Sequence, residues 1–398
     1  MLHPDFWLRR APDPAAVLLA PDAAADFNAC IYSTLGIPPV LDLPDSLSAA
    51  EVRAQIAIYA PPSKTRYGIT GEPLDTAYFE ALLENASPIL PDVVPVRFGL
   101  ATRRTDVRSF PTDEVITSEP FQFEFDRIQE TAIDTGTPLA VTAISRDGTW
   151  AFCLTPLYWG WVHAEHIAFG TREQVADYAN AAPFVMTVAS RRSVVLVTGG
   201  SVSTQMGTRL PLREEKPTAY RVSVPTRKLD GSLRLSDGFI AKRLEQFTTG
   251  YLPCTRQTIF TQAFSLLGEP YAWGDSRMGL FGRDCSRLIR DIHAVTGVIL
   301  PRNADQQEKV CAPVVTFSAG MTDQERKTLL AGQVTPGAVL ALPGHIMLYL
   351  GHVDGEPYVL HDTSANGFSS VIVSDLLLGS GSPAGSLLQR LSAAVMIG

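Results

Sequence analysis

The chain has 398 residues, enough for roughly two to four domains, and its 45% hydrophobic and 19% charged content is that of a globular protein with ample core material. A formal net charge of -8 argues against a nucleic-acid binder, and no run of like charges marks a polyelectrolyte tail. No stretch reaches the about 20 apolar residues of a membrane span. The five cysteines (Cys30, Cys153, Cys254, Cys285 and Cys311) are scattered and contain no CxxC pair, which argues against a zinc site or a thioredoxin-type motif. Apart from Cys285 they are expected to be buried small hydrophobes.

Residues 1–95 read as helical and irregular. Asp22 to Thr34 and Ser48 to Tyr59 carry helical spacing of apolar residues, and Ser48 with Glu51 three positions on is a capping box. The opening MLHPDFWLRRAPDPAA lacks the apolar core of a signal peptide. The expected location is therefore the cell envelope or periplasm if an export signal has been removed, and otherwise the cytoplasm.

Short strands follow. Val96 to Leu100, Pro138 to Ile144, Trp150 to Leu154 and Gly160 to Val162, with a turn at Asp147-Gly148, predict a small β-barrel over 96–170. Pro183 to Val188, Ser193 to Thr198, Gly207 to Leu212 and Tyr220 to Val224 predict a second over 171–245, with turns at Gly199-Gly200 and Asp230-Gly231. Trp150 and Trp161 are expected in barrel core. His163, His166, His293 and His352 are expected to be surface or packing residues.

From 246 to 398 the pattern becomes α+β. Arg256 to Leu267 and Asp284 to Thr296 read as helices, the second with Leu288, Ile289, Ile292 and Val295 on one face and Gly297 at its end. Ile346 to Leu350 and Tyr358 to His361 read as strands joined by a turn at Asp354-Gly355. The fold class is thus multidomain: two small all-β barrels and an α+β domain behind a helical or irregular N-terminal segment.

Cys285 opens a predicted helix behind Asp284, a suitable N-cap. The helix dipole favours an anionic sulfur there, and backbone N–H groups at the helix start can donate to an oxyanion. His345 opens the strand PGHIMLYLG and is the candidate base; alternation sets His345, Met347 and Tyr349 on one face. His361, on the next strand, can orient its ring, with Asp362 as the competing choice.

Residues 266–307 read LLGEPYAWG…GRDCSRLIRDIHAVTGVILPRNADQQ. Gly268, Pro270, Tyr271, Trp273, Gly274, Asp284, Cys285, Ser286, Leu300, Pro301, Arg302, Gln306 and Gln307, followed by the two histidine strands, resemble the NlpC/P60 family of papain-like cell-wall cysteine peptidases. Upstream, VRSFPT, FDRIQETAI, DGTWAF and YWGWV resemble the first of two bacterial SH3-like barrels that larger members carry behind an N-terminal clip. Two positions depart from the family pattern. Arg287 stands where Gly is usual, and a long side chain there is expected to face solvent or the substrate groove. Gly337-Ala338 replaces a frequent Gly-Asp pair.

The resemblance implies hydrolysis of the γ-D-glutamyl-L-diamino acid bond of murein stem peptides through a Cys285 thioester, with no metal or cofactor. It also implies that Asp284, with Ser286 nearby, meets the free amine of an N-terminal L-Ala, as a carboxylate suits an ammonium. Tyr158 of the first barrel is the candidate to close that pocket. The partners expected are murein stem peptides, with no nucleic acid and no membrane span, and the protein is expected to be a monomer. Two alternatives remain at this point: an amidase or acyltransferase acting on another envelope amide, and a non-catalytic murein-binding protein.

Overall fold

A computed structural model describes residues 1–243 and 245–398. The chain forms two compact units. One comprises Met1–Ile37, Tyr251–Tyr271 and Arg283–Gly398; the other comprises Pro38–Gly250 and Ala272–Gly282.

The second unit holds two seven-stranded antiparallel sheets. In the first, the strands lie in the order Ile167–Phe169, Arg97–Ala101, Pro138–Ile144, Trp150–Leu154, Trp159–His163, Thr105–Arg108 and Gln129–Ile133. A flat sheet of seven strands would hold its edges nearly 30 Å apart. Here all seven strands contribute to one cluster, from Ala101 and Val107 through Leu139, Cys153 and Val162 to Ile133 and Ile167. The sheet must therefore curl into a barrel around it. The strand Trp150–Leu154 is buried on both faces. Ala151 and Cys153 point into the barrel, while Trp150 and Phe152 pack outside it with Ala49 and Val52 of the helix Ala49–Ile56. That helix starts at the Ser48–Glu51 capping box.

The second sheet runs Ser201–Gln205, Arg191–Leu196, Leu233–Ala241, Ala219–Arg227, Arg209–Glu215, Phe184–Thr187 and Phe247–Thr249. It closes on its own core in the same way, with Val185, Val194, Val202, Leu210, Val222, Ile240 and Phe247 drawn from all seven strands.

The excursion Ala272–Gly282 belongs to the barrel unit because of its hydrogen bonds. Gln129 Nε2 donates to Gly274 O (3.0 Å), Thr131 Oγ1 donates to Asp275 Oδ2 (2.8 Å), and Arg104 donates to Asp275 O (2.6 Å). Gly274 sits at φ +61, and a Cβ there would lie 2.7 Å from Gln129 O. The position therefore needs glycine twice over, for its backbone and for the approach.

The other unit carries a six-stranded antiparallel sheet in the order Val315–Thr316, Ala393–Val395, Val339–Leu342, His345–Val353, Glu356–Thr363 and Ser370–Asp375. Asp354 and Gly355, both at positive φ, form the two-residue turn of its central hairpin. The helix Cys285–Ala294 packs on the two hairpin strands. The N-terminal residues join this unit through reciprocal bonds: Asn28 Nδ2 donates to Gly297 O (2.9 Å), and Ile299 N donates to Asn28 Oδ1 (2.8 Å). One expectation fails here. Cys30 is exposed, because its helix Pro21–Thr34 turns it outward; Cys153 and Cys254 are buried, and Cys311 is half-buried. Among the described residues no helix is long and apolar enough to cross a membrane.

Candidate active site

Asp284 holds an extended backbone immediately before the helix, and its Oδ1 accepts the Arg287 N–H at 3.0 Å. This cap fixes Cys285 as the first helical residue. The same carboxylate takes a two-armed bond from Arg302, Nη1 to Oδ1 at 3.1 Å and Nη2 to Oδ2 at 2.6 Å. Ser286 Oγ donates to Asp284 Oδ1 (3.0 Å) and accepts from Arg302 Nη1 (2.8 Å). Gln307 Nε2 completes the brace by donating to Ser286 O (2.9 Å) and Pro301 O (2.8 Å). The Leu-Pro-Arg and Gln-Gln segments thus clamp the start of the helix. Their presence was legible in the sequence; this task was not.

The Cys285 thiol accepts a hydrogen bond from the Ile346 N–H, so it lies at the strand start that carries His345. His345 Nε2 and His361 Nδ1 are 2.7 Å apart, and His361 Nε2 lies 3.1 Å from Ser374 Oγ. Sheet register explains this row. Leu348 stands opposite Leu360 and Ser374 opposite Val359, so by alternation His345, His361 and Ser374 share one face and step diagonally across three strands. His361, rather than Asp362, therefore holds the His345 ring; Asp362 alternates to the other face and is fully buried. Ser374 had no signal in the sequence, since only the register brings it to His361. Tyr271 is also buried at the site, and burial above all, with the nearby Asp284 carboxylate, holds its phenol protonated.

Burial pushes the Cys285 thiol up to about 12, and the Asp284 carboxylate acts in the same direction, while the Ile346 N–H pulls against them. The rise from 9.0 corresponds to roughly 4 kcal/mol against the thiolate, more than the up to about 2 kcal/mol a helix end offers an anion. Desolvation thus opposes the anionic sulfur that the helix end favours. Burial also lowers His345 to about 4, helped by the charge of Arg390, and holds His361 well below its ordinary range, with His345 adding to the effect. Both shifts favour a neutral thiol and a neutral imidazole at rest.

Arg287 faces neither solvent nor a groove. It is 2% exposed, and its Nε donates to Asp291 Oδ1 at 2.6 Å, one helical turn on. Arg283 Nε takes Asp291 Oδ2 at 2.9 Å, and Arg283 also pairs with Glu269. Position 287 lies on the buried side of the helix, and the Asp291 carboxylate is what makes a cation tolerable there.

The structure thus gathers Cys285, His345, His361, Asp284 and Ser286 in one unit. Tyr158 belongs to the other, in the turn between Leu154 and Trp159, half-buried against the first barrel's core. Among the described residues no group of three or more His, Cys, Asp and Glu side chains is placed to hold a metal ion.

Residues 268–376 match the NlpC/P60 family, and residues 118–163 match the SH3 domain of the SH3b1 type. The chain therefore carries an NlpC/P60 domain and an SH3b1-type domain. It is 28% identical over 182 residues to a γ-D-glutamyl-L-lysine dipeptidyl-peptidase of Bacillus cereus, a match covering 42% of this chain and 51% of that protein. The chain thus spans about half the length of this curated relative. An NlpC/P60 endopeptidase from Photobacterium damselae subsp. piscicida shares the fold at a TM-score of 0.74 and 17% identity, over 96% of this chain and 94% of that one. An NlpC/P60 family protein from Bacillus cereus ATCC 10987 aligns at 0.53 and 18% identity, over 75% of this chain and 98% of its own.

Proposed function

We propose that the chain is a cysteine peptidase that hydrolyses the γ-D-glutamyl-L-diamino acid bond of murein stem peptides. The observation that carries the peptidase reading is the pairing of His345 Nε2 with His361 Nδ1 at 2.7 Å on the strand whose Ile346 N–H reaches the Cys285 thiol. The bond assignment draws support from the named activity of the Bacillus cereus relative.

For His345 Nδ1 to accept the thiol proton, Nε2 must carry the ring's hydrogen and donate it to His361 Nδ1. The His361 proton then sits on Nε2 and is donated to Ser374 Oγ. Both residues act as positioning groups that hold His345 in this tautomer. As sulfur attacks the γ-glutamyl carbonyl carbon, its proton passes to His345 Nδ1, and the resulting imidazolium gives it to the leaving amine. A water then surrenders a proton to His345 and attacks the thioester, releasing the glutamyl carboxylate and restoring the thiol. Starting from a neutral pair, charge separates only as the carbonyl oxygen becomes anionic and His345 becomes an imidazolium, with no change in net charge. The Cys285 N–H, at the open end of the helix, is the donor we assign to that oxyanion.

In the same reading Asp284 with Ser286 meets the amine of an N-terminal L-Ala. Its charge is shared with Arg302, so it offers an ammonium less than an unpaired carboxylate would. The test is mass spectrometry of L-Ala-γ-D-Glu-diaminopimelate and its N-acetylated form after incubation with the protein. Release of L-Ala-D-Glu from the free-amine peptide alone is expected. Cleavage of both would remove the amine role of Asp284 while keeping the peptidase.

A further inference from the structure

His345 shares its face of the sheet with Met347 and Tyr349, and that face is covered by Leu387, Leu388 and Leu391, members of the same apolar cluster. These leucines come from the short helix Leu387–Arg390, which opens with a Ser386–Gln389 capping box, and from its C-terminal cap, Leu391. The buried Arg326 fixes the element, donating through Nη1 to Leu388 O (3.3 Å) and Leu391 O (3.1 Å). Register sets its place along the sheet. Ala393 stands opposite Ala341, Ala341 stands opposite Ile346, and Ser392 N donates to Ala341 O at 2.9 Å. The chain that ends this helix therefore meets the sheet at the end where His345 begins its strand, two strand spacings or roughly 10 Å across.

Arg390 stands on this anchored element with its side chain exposed. Among the described residues its guanidinium has no hydrogen bond and no ion pair; Glu308, which accepts from Ser392 Oγ at 2.7 Å, makes none with it. Its charge nevertheless acts on the His345 ring, where it opposes a second proton. The arginines around the start of the Cys285 helix differ: Arg283, Arg287 and Arg302 are buried and paired with carboxylates. Of these four cations Arg390 is the one left free, and it lies on the side of the base. That is where the leaving group departs, because His345 must protonate its amine. Two carboxylates of a diamino acid could meet a cation there. The α-carboxylate adjoins the leaving nitrogen, whereas the second carboxylate of diaminopimelate ends the side chain. Arg390 acts on the ring through its field, without a hydrogen bond to it, and so stands off from the leaving nitrogen, a placement that suits the far carboxylate. A side chain ending in an ammonium alone would meet repulsion instead.

We propose that Arg390 selects the diamino acid on the leaving side, favouring one whose side chain ends in a carboxylate beside its amine over one that ends in an amine alone. The proposal rests on the γ-glutamyl reading of the reaction and adds to it which diamino acid is released. The lysine bond named for the Bacillus cereus relative is then the disfavoured one here.

The test compares kcat/KM of the whole chain on L-Ala-γ-D-Glu-diaminopimelate and on L-Ala-γ-D-Glu-L-lysine. A preference of about three- to tenfold for the first is expected, the scale of an exposed charge-assisted pair. Raising sodium chloride from about 0.05 to about 0.5 M should shrink it, since an exposed pair is screened. Arg390→Gln should bring the ratio close to unity and Arg390→Glu should invert it, while Arg390→Lys, which keeps the charge, should retain part of it. Amidating the α-carboxylate of both peptides should leave the preference in place; its loss would put Arg390 at the α-carboxylate and overturn the assignment to the side chain. A ratio near unity in the unmutated protein, or an unchanged ratio in Arg390→Gln, would also overturn the proposal. If neither peptide is cut, the γ-glutamyl reading itself fails, and the proposal with it.

Discussion

Replacing Asp291 by Asn would test the buried ion cluster that makes Arg287 tolerable. Asp291 is 2% exposed and serves two guanidinium groups, Arg287 Nε at 2.6 Å and Arg283 Nε at 2.9 Å, which are themselves 2% and 1% exposed. Asparagine keeps the shape but removes the charge, and its NH2 turns donors toward a donor. Breaking a buried pair costs about 3–5 kcal/mol, because the surviving charge is stranded. Arg283 keeps Glu269, so the lower end of that range is expected, about 3 kcal/mol. Against a domain stability of about 5–15 kcal/mol this is a large fraction. At about 2–4 °C per kcal/mol it lowers the melting of the roughly 170-residue catalytic unit by about 6–12 °C. Calorimetry resolves this unit from the barrels if they melt separately, and urea titration followed by Cys285 protection from alkylation reports on it directly. The double variant Arg287→Met/Asp291→Leu should recover part of the loss, since apolar groups of similar volume replace buried pairs at little cost. A loss below about 1 kcal/mol for Asp291→Asn would mean that these cations are not desolvated as argued.

Other consequences can be measured on the same protein. His345 works as a base only when neutral, and burial holds it at about 4, so the acid limb of kcat/KM should lie near pH 4 rather than 6.5. The same depression makes folding stability fully present above the unfolded value of 6.5 and progressively lost as pH falls from there to about 4, which denaturant titrations at pH 7 and 4.5 would reveal. Ser374→Ala should lower kcat several-fold with KM little changed and Ser374→Thr should restore it; equal activity of all three would remove the serine from the row that orients His345. Arg302→Lys exchanges a two-armed bond for a point charge and should cost about 1–3 kcal/mol of stability, together with kcat, because the helix start that carries Cys285 loosens.

The elements were legible wherever apolar periodicity carried them. Pro138–Ile144 and Trp150–Leu154 have the bounds their sequence predicts, and the Cys285 helix shows the expected buried face of Leu288, Ile289 and Ile292. The pairing of His345 with His361 was legible too, because strand alternation and a two-residue Asp-Gly turn fix which side chains meet. What escaped depends on partners distant along the chain. Nothing local tells that Arg287 is buried; its partner Asp291 is shared with Arg283, which in turn reaches Glu269. Ser374 becomes meaningful only through the register of a third strand. At Cys285 the sequence shows the helix end that favours an anion and hides the burial that opposes it.

The bond that Cys285 attacks defines the proposed activity. Incubating L-Ala-γ-D-Glu-diaminopimelate with the unmutated protein and with Cys285→Ala, and reading the products by mass spectrometry, puts it to the test. L-Ala-D-Glu and free diaminopimelate from the first, and nothing from the second, is the predicted result. Intact peptide in both, from protein that is folded and whose thiol still reacts with iodoacetamide, would contradict it.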